Sequence, residues 1–217
     1  MIEDIRKYYK LLIKPTDGVV SRYINRRVSI PLTVLIVKFN LPLTPNQVSL
    51  LSFLLGIVAA LFYILKNPIL AGILVQASSI IDGVDGELAR ILGKQSKLGA
   101  YLDAVLDRIT NIAIIASIAY YITITNNINE LTITILLLAL SGDLMVSYIH
   151  ARGEASLQQH PSKIGKIPNF ASRDIRLFII FIGSIIGLLI EALAIVAIIS
   201  YTYVILKSME VYIKLRK

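Results

Sequence analysis

The sequence predicts an all-α integral membrane protein, with six transmembrane helices preceded by an N-terminal amphipathic juxtamembrane helix. Three observations predict it. Of the 217 residues, 56% are hydrophobic and the mean hydropathy is +0.73, well above the roughly 45–50% apolar content of ordinary soluble domains. The apolar residues fall into six stretches parted by breakers and charges. With six crossings, 21 of the 22 Lys and Arg fall on one side and only Lys66 opposite. Such an excess marks the cytoplasmic face, so a multi-pass protein of the cell membrane with both termini in the cytoplasm is expected. Cysteine is absent, which excludes disulfides and thiolate metal sites. The first forty residues are too charged and interrupted for the apolar core of a cleavable signal, so none is expected. The chain reads as one membrane domain, with 1–42 as a cytoplasmic juxtamembrane segment and 46–206 as the six-helix bundle.

Residues 1–16 mix Arg6, Lys7, Lys10 and Lys14 with Ile2, Ile5 and Leu11, then stop at Pro15, where Thr16 and Asp17 are candidate helix caps. Residues 17–39 set Arg22, Arg26, Arg27 and Lys38 among Val19, Tyr23, Ile24 and Val28, the composition of an interfacial helix. Pro31 is placed to bend or divide it. Its role stays open between an arm over a site and a basic anchor on anionic lipid. Pro42 and Pro45 break the chain, and Thr44 or Asn46 can cap the first span, 46–65. Twenty residues at about 1.5 Å each cover a hydrocarbon core of roughly 30 Å.

A turn at Lys66, Asn67 and Pro68 opens the second span, 69–92; a short basic loop, 93–97, precedes the third, 98–122; a polar turn precedes the fourth, 131–149. Residues 152–176 are a long polar connection broken at Gly153, Pro161, Gly165 and Pro168. A connection of that length is uncommon unless functional; binding of an anionic acceptor and attraction to the membrane surface are the two readings. Spans 177–190 and 192–206 follow, and Gly183 with Gly187 forms a G-x-x-x-G pair suited to close packing within the bundle or in a homodimer.

Into this apolar chain residues 82–107 set four carboxylates. An ionised side chain at bilayer depth costs at least a few kcal/mol unless paired, hydrated or bound to a cation. Asp82 and Asp85 stand at i and i+3 near the end of the second span, and Asp103 and Asp107 at i and i+4 near the start of the third, so each pair shares a helix face and both lie at one depth. Two such faces turned together form an all-oxygen cage, the set preferred by Mg²⁺ or Mn²⁺; the plainer alternative is a polar loop between shorter helices. Gly86, Ala89 and Gly99 leave room for a ligand or backbone, and Arg90 offers a planar fork for phosphate. Together they point to phosphoryl transfer. Asp143 in the fourth span is read as the structural partner of an arginine or hydroxyl, and His150 as a polar residue at a helix end.

Written as Asp82-x2-Asp85-Gly86-x2-Ala89-Arg90-x8-Gly99-x3-Asp103-x3-Asp107, the stretch resembles the signature of the CDP-alcohol phosphotransferases at every fixed position. The resemblance implies an integral membrane enzyme in which an acceptor alcohol attacks a CDP-linked donor and CMP leaves. It implies one or two Mg²⁺ or Mn²⁺ ions on the four aspartates and Asp107 as general base. Gly86, Ala89, Arg90 and Gly99 are then donor-binding, with Asn46 of the Pro-Asn pair beside them. The run from Lys14 to Gly18, followed by Ser21, Arg22, Asn25, Arg26 and Arg27, resembles the archaeal di-myo-inositol-phosphate-phosphate synthase branch, often fused to a soluble cytidylyltransferase domain that these 217 residues lack. On that reading CDP-inositol is the donor, inositol phosphate the acceptor, and Arg152, Arg173 and Arg108 hold the acceptor's phosphate. A phospholipid synthase using a CDP-lipid donor is the alternative. A divalent-cation transporter is a more distant one, because acids inside helices also mark ion pathways. No nucleic-acid partner is expected.

Overall fold

The protein is described by a computed structural model for residues 8–9, 11–13, 17–125 and 128–216. Lys14, Pro15 and Thr16, and with them the expected helix end, lie outside these residues. A π-helical turn, Ser21–Asn25, leads into α1, Arg26–Lys38. Then come α2, Pro45–Ile64; α3, Pro68–Ile91; α4, Lys97–Thr125; α5, Glu130–Leu157; α6, Arg173–Ile186; and α7, Leu189–Leu215. Among the described residues there is no strand.

Six helices stand where six spans were expected, and among the described residues α2, α3, α5 and α7 are long and apolar enough to cross a membrane. Helix α4 has 29 residues and carries Lys97, Asp103, Asp107 and Arg108 in its first half. Helix α6 has 14 residues, about 21 Å at 1.5 Å per residue, short of a core of roughly 30 Å. It begins at Arg173, earlier than the apolar run, and stops where Gly187 turns left-handed at φ 77°.

Local chemistry fixes the helix ends. Thr44 and Gln47 form a reciprocal capping box ahead of Pro45 at the start of α2. Asn67 and Asn129 accept from the backbone N–H groups of Leu70 and Thr132 to open α3 and α5. Pro31 does not divide α1, which runs unbroken through it.

The core lies between α2, α3, α4, α6 and α7, where Tyr63, Val75, Ile118, Ile180 and Val196 are fully buried. Helix α2 packs against both α3 and α4, and small residues permit it. Ser52 and Ser78 exchange hydroxyl-to-carbonyl bonds, while Gly56 faces Thr110 Cγ2 with no room for a Cβ. Gly56→Ala is accordingly expected to destabilise the fold by about 1–3 kcal/mol through overpacking, read as a lower thermal midpoint in detergent. Thr110→Ser, which removes that methyl, should restore most of the loss. The G-x-x-x-G pair is used within the chain. Gly183 lies against Ala192 of α7, and Gly187 ends α6.

Candidate active site

Helix α3 carries Asp82 and Asp85 in its second half, α4 carries Asp103 and Asp107 in its first half, and α2 lies against both. One carboxylate oxygen from each of Asp82, Asp85 and Asp103 falls within 4.8 Å of the others. Asp85 is buried and accepts from the Ser49 hydroxyl of α2 and from its neighbour's N–H at Gly86. Asp107, expected as a fourth ligand, is outside this group. Its Oδ1 lies 3.0 Å from Arg173 Nη2 and its Oδ2 3.7 Å from Arg108 Nη2. Two guanidiniums draw it aside.

Arg173 stands at the head of α6 and bridges the two acid helices, because its Nη1 also lies 2.9 Å from Asp82 Oδ2. Behind it runs a buried relay. Arg173 Nε donates to Asn111 Oδ1 at 3.2 Å, Asn111 donates to Asp143 at 3.0 Å, and Asp143 pairs with Arg176 at 2.7 Å. Asp143 thus has the structural arginine partner expected of a membrane-buried acid. His150 Nε2 lies 2.9 Å from the Tyr203 hydroxyl, and its ring lies tilted against that of His160, with centroids 4.4 Å apart.

The donor set answers whether a divalent ion suits the site. Among the described residues, Arg173 is the one cation paired with the three clustered carboxylates, and it touches Asp82 alone. Gathered anions in a poorly hydrated site need further positive charge, and hard oxygen donors match Mg²⁺ or Mn²⁺. The residues fit such an ion.

A cleft of about 530 Å³ opens beside the carboxylates, lined by Asp85 and Asp103. Asn46, Gly86, Ala89, Arg90 and Gly99 all line it too, so every residue expected at the donor site meets there. Arg90 donates from Nη2 to the Leu12 carbonyl at 3.3 Å, while its buried Nε has no partner among the described residues. A Cβ on Gly86 would sit 3.3 Å from Arg90 Nη1, and one on Gly99 3.2 Å from Asn46 Oδ1. The glycines keep that arginine and asparagine clear.

Two groups in the site were not singled out from sequence. Ser49 reaches Asp85, and its signal was the small-residue face of Ser49, Ser52 and Gly56 along the first span. Lys94 of the α3–α4 loop and Lys97 at the head of α4 line the cleft, where the sequence shows only a basic loop. Arg152 corrects an expectation. Arg108 and Arg173 reach the carboxylates, whereas Arg152 is exposed and lines a different cleft beside α7. It follows Ser147, the residue on α5 that meets Arg108, by five positions, about 140° round the helix, which turns it away.

Comparison with known proteins gives the family and the fold. The family model for CDP-alcohol phosphatidyltransferase matches residues 42–206. The chain is 40% identical over 187 residues to the bifunctional IPC transferase and DIPP synthase of Thermococcus kodakarensis, covering 82% of this chain and 41% of that protein. It thus spans less than half the length of that relative. It is 35% identical over 162 residues to the archaetidylinositol phosphate synthase of Pyrococcus horikoshii, covering 75% of this chain and 80% of the relative. The crystal structure of Mycobacterium tuberculosis phosphatidylinositol phosphate synthase with CDP-DAG bound shares the fold at a TM-score of 0.70 and 23% identity, over 86% of this chain and 94% of that one. The same enzyme in complex with manganese and citrate matches at a TM-score of 0.71 with 23% identity, over 85% and 89%. The chain belongs to the CDP-alcohol phosphatidyltransferase family.

Proposed function

We propose that this chain transfers a substituted phosphate group from a CDP-linked donor to an acceptor alcohol and releases CMP, with CDP-inositol as donor and inositol phosphate as acceptor. The product is then di-myo-inositol phosphate phosphate. One observation carries the reading: a single cleft joins Asp85 and Asp103 to Asn46, Gly86, Ala89, Arg90 and Gly99. We assign Asp82, Asp85 and Asp103 to hold Mg²⁺ or Mn²⁺. Bound there, the ion supplies neutralising charge for the donor's pyrophosphate and for the CMP that leaves.

The protein groups do the remaining work. Arg90, with Lys94 and Lys97 on the rim, binds and orients donor phosphate. The acceptor oxygen attacks the phosphorus bearing the inositol, the bond from that phosphorus to the CMP oxygen breaks, and the hydroxyl proton passes to Asp107. Oδ2 of Asp107 is the freer oxygen, since its nearest cation is 3.7 Å away against 3.0 Å for Oδ1. Arg108 and Arg173 flank that carboxylate and are assigned to the acceptor's phosphate.

We read the chain as one multi-pass membrane domain of six crossings, α4 and the short α6 packed among the four longer apolar helices, with α1 at the membrane surface and the site and both termini at the cytoplasmic face. The one-sided Lys and Arg distribution supports this. A CDP-lipid donor is the second reading, favoured by the identity to an archaetidylinositol phosphate synthase.

Incubating the protein with labelled CDP-inositol and, separately, a CDP-lipid, each with inositol phosphate and Mg²⁺, tests both. CMP release with the first names the proposed branch, release with the second names the lipid branch, and none with either overturns the class. Stripping divalent ions with EDTA is expected to abolish CMP release, and added Mg²⁺ or Mn²⁺ to restore it. Turnover that persists in EDTA would remove the metal from the reading.

A further inference from the structure

A second cleft, of about 550 Å³, lies between α5 and α7 and shares no lining residue with the first. Its floor is apolar, with Ile149, Val211 and Leu215 along it, and Arg152 and Arg216 line it. Both arginines are exposed, and no carboxylate among the described residues pairs with either. Arg216 leans over the Tyr212 ring, 5.9 Å from its centroid. The third cation of the cleft, Lys207, is unavailable. It is fully buried and donates to the Ile164 and Ile167 carbonyls and to Glu210 at 2.7, 3.0 and 2.8 Å.

Position gives these features meaning. Helices α5 and α7 are both long and apolar enough to cross a membrane, and the cleft sits where their C-terminal ends meet, at the boundary between apolar and charged sequence. Tyr148 and Tyr212, 59% and 63% exposed, line it, and such rings favour the headgroup level. Two exposed guanidiniums lining an apolar groove complement an anionic head joined to an apolar tail. A free phosphate would leave the apolar floor bare, and a neutral lipid would leave the charges unanswered.

We propose that this cleft binds one anionic glycerophospholipid, its phosphate between Arg152 and Arg216 and one chain along Ile149, Val211 and Leu215. The site is separate from the donor cleft and does not depend on which donor the enzyme uses. Arg152, set apart from the carboxylates, thereby acquires a ligand.

The test titrates the full chain, purified in detergent and freed of lipid, with dioctanoyl phosphatidylglycerol and separately with dioctanoyl phosphatidylcholine. Bound copies are counted by native mass spectrometry. The anionic lipid is expected to bind about ten-fold more tightly, and the Arg152→Gln, Arg216→Gln double variant to erase that preference. Val211→Trp, which fills the floor and keeps both guanidiniums, should lose both lipids; each variant is compared at an unchanged thermal midpoint. An undiminished preference in the double variant overturns the proposal. So does equal competition by inorganic phosphate, which would leave only an anion site. Displacement of the lipid by CMP also overturns it, by placing the lipid in the carboxylate cleft, and leaves the transferase reading intact.

Discussion

Asp107→Asn is expected to lower turnover by about a thousand-fold or more while donor affinity, in the presence of Mg²⁺, changes by less than about two-fold. The amide matches the carboxylate in size and keeps an oxygen for Arg173 Nη2, now 3.0 Å from Oδ1. It cannot take a proton at pH 7. The split between turnover and binding follows from placement: the oxygens of Asp82, Asp85 and Asp103 gather without Asp107, so the substitution spares the proposed metal ligands. Asp85→Asn provides the contrast, since it removes a carboxylate that lines the donor cleft and belongs to the gathered set. It should weaken Mn²⁺ binding and donor binding together. If Asp107→Asn weakens Mn²⁺ binding to the same degree as Asp85→Asn, Asp107 is a ligand and the base must be sought elsewhere.

That division between Asp107 and its three neighbours was hidden from the sequence. Spacing at i and i+4 puts Asp103 and Asp107 on one face, and nothing in the spacing separates them; Arg173, 66 positions further along the chain, does so by bridging Asp82 and Asp107. Features written in short-range pattern were legible: the helix positions, the capping at Thr44, and the meeting of residues 86–99 with Asn46 in one cleft, the proposed donor site. Features made by long-range contact were not. The shortness of α6 follows from the turn at Gly187, inside a run whose apolar composition continues past it. The turning-away of Arg152 depends on the facing of α5 against α4 through Arg108 and Ser147. Nothing near Glu87 in the sequence names its partners, which come from a helix some sixty residues earlier.

Those partners set up the largest stability effect expected outside the site. Glu87 is fully buried, and its carboxylate takes Arg26 Nη1 at 2.5 Å and the Ser29 and Thr33 hydroxyls at 2.6 Å each. Arg26 also donates to the Gly83 carbonyl and pairs with Asp17 at 3.1 Å. Burial works against its charge, but Asp17 and Glu87 outweigh that and hold its pKa above the usual guanidinium value. The preceding residue, Asn25, donates to Ser79 and accepts from Gln76. The contacts on α3 thus fall at 76, 79, 83 and 87, a single helical face, and the acids at 82 and 85 point elsewhere. Arg26→Met leaves a carboxylate buried with hydroxyl donors and no cation, which costs about 3–5 kcal/mol, a fall in thermal midpoint on the order of 10 °C for a chain of this size. Adding Glu87→Gln removes the orphaned charge and keeps an acceptor for Ser29 and Thr33, so the double variant should recover most of the loss, a coupling that a double-mutant cycle reads directly. Because α1 holds the back of the helix that presents Asp82 and Asp85, turnover should fall with the single substitution and return with the double one. A single variant that loses less than about 1 kcal/mol would show that Glu87 is not ionised against Arg26, and the clamp between α1 and α3 would then rest on its neutral hydrogen bonds alone.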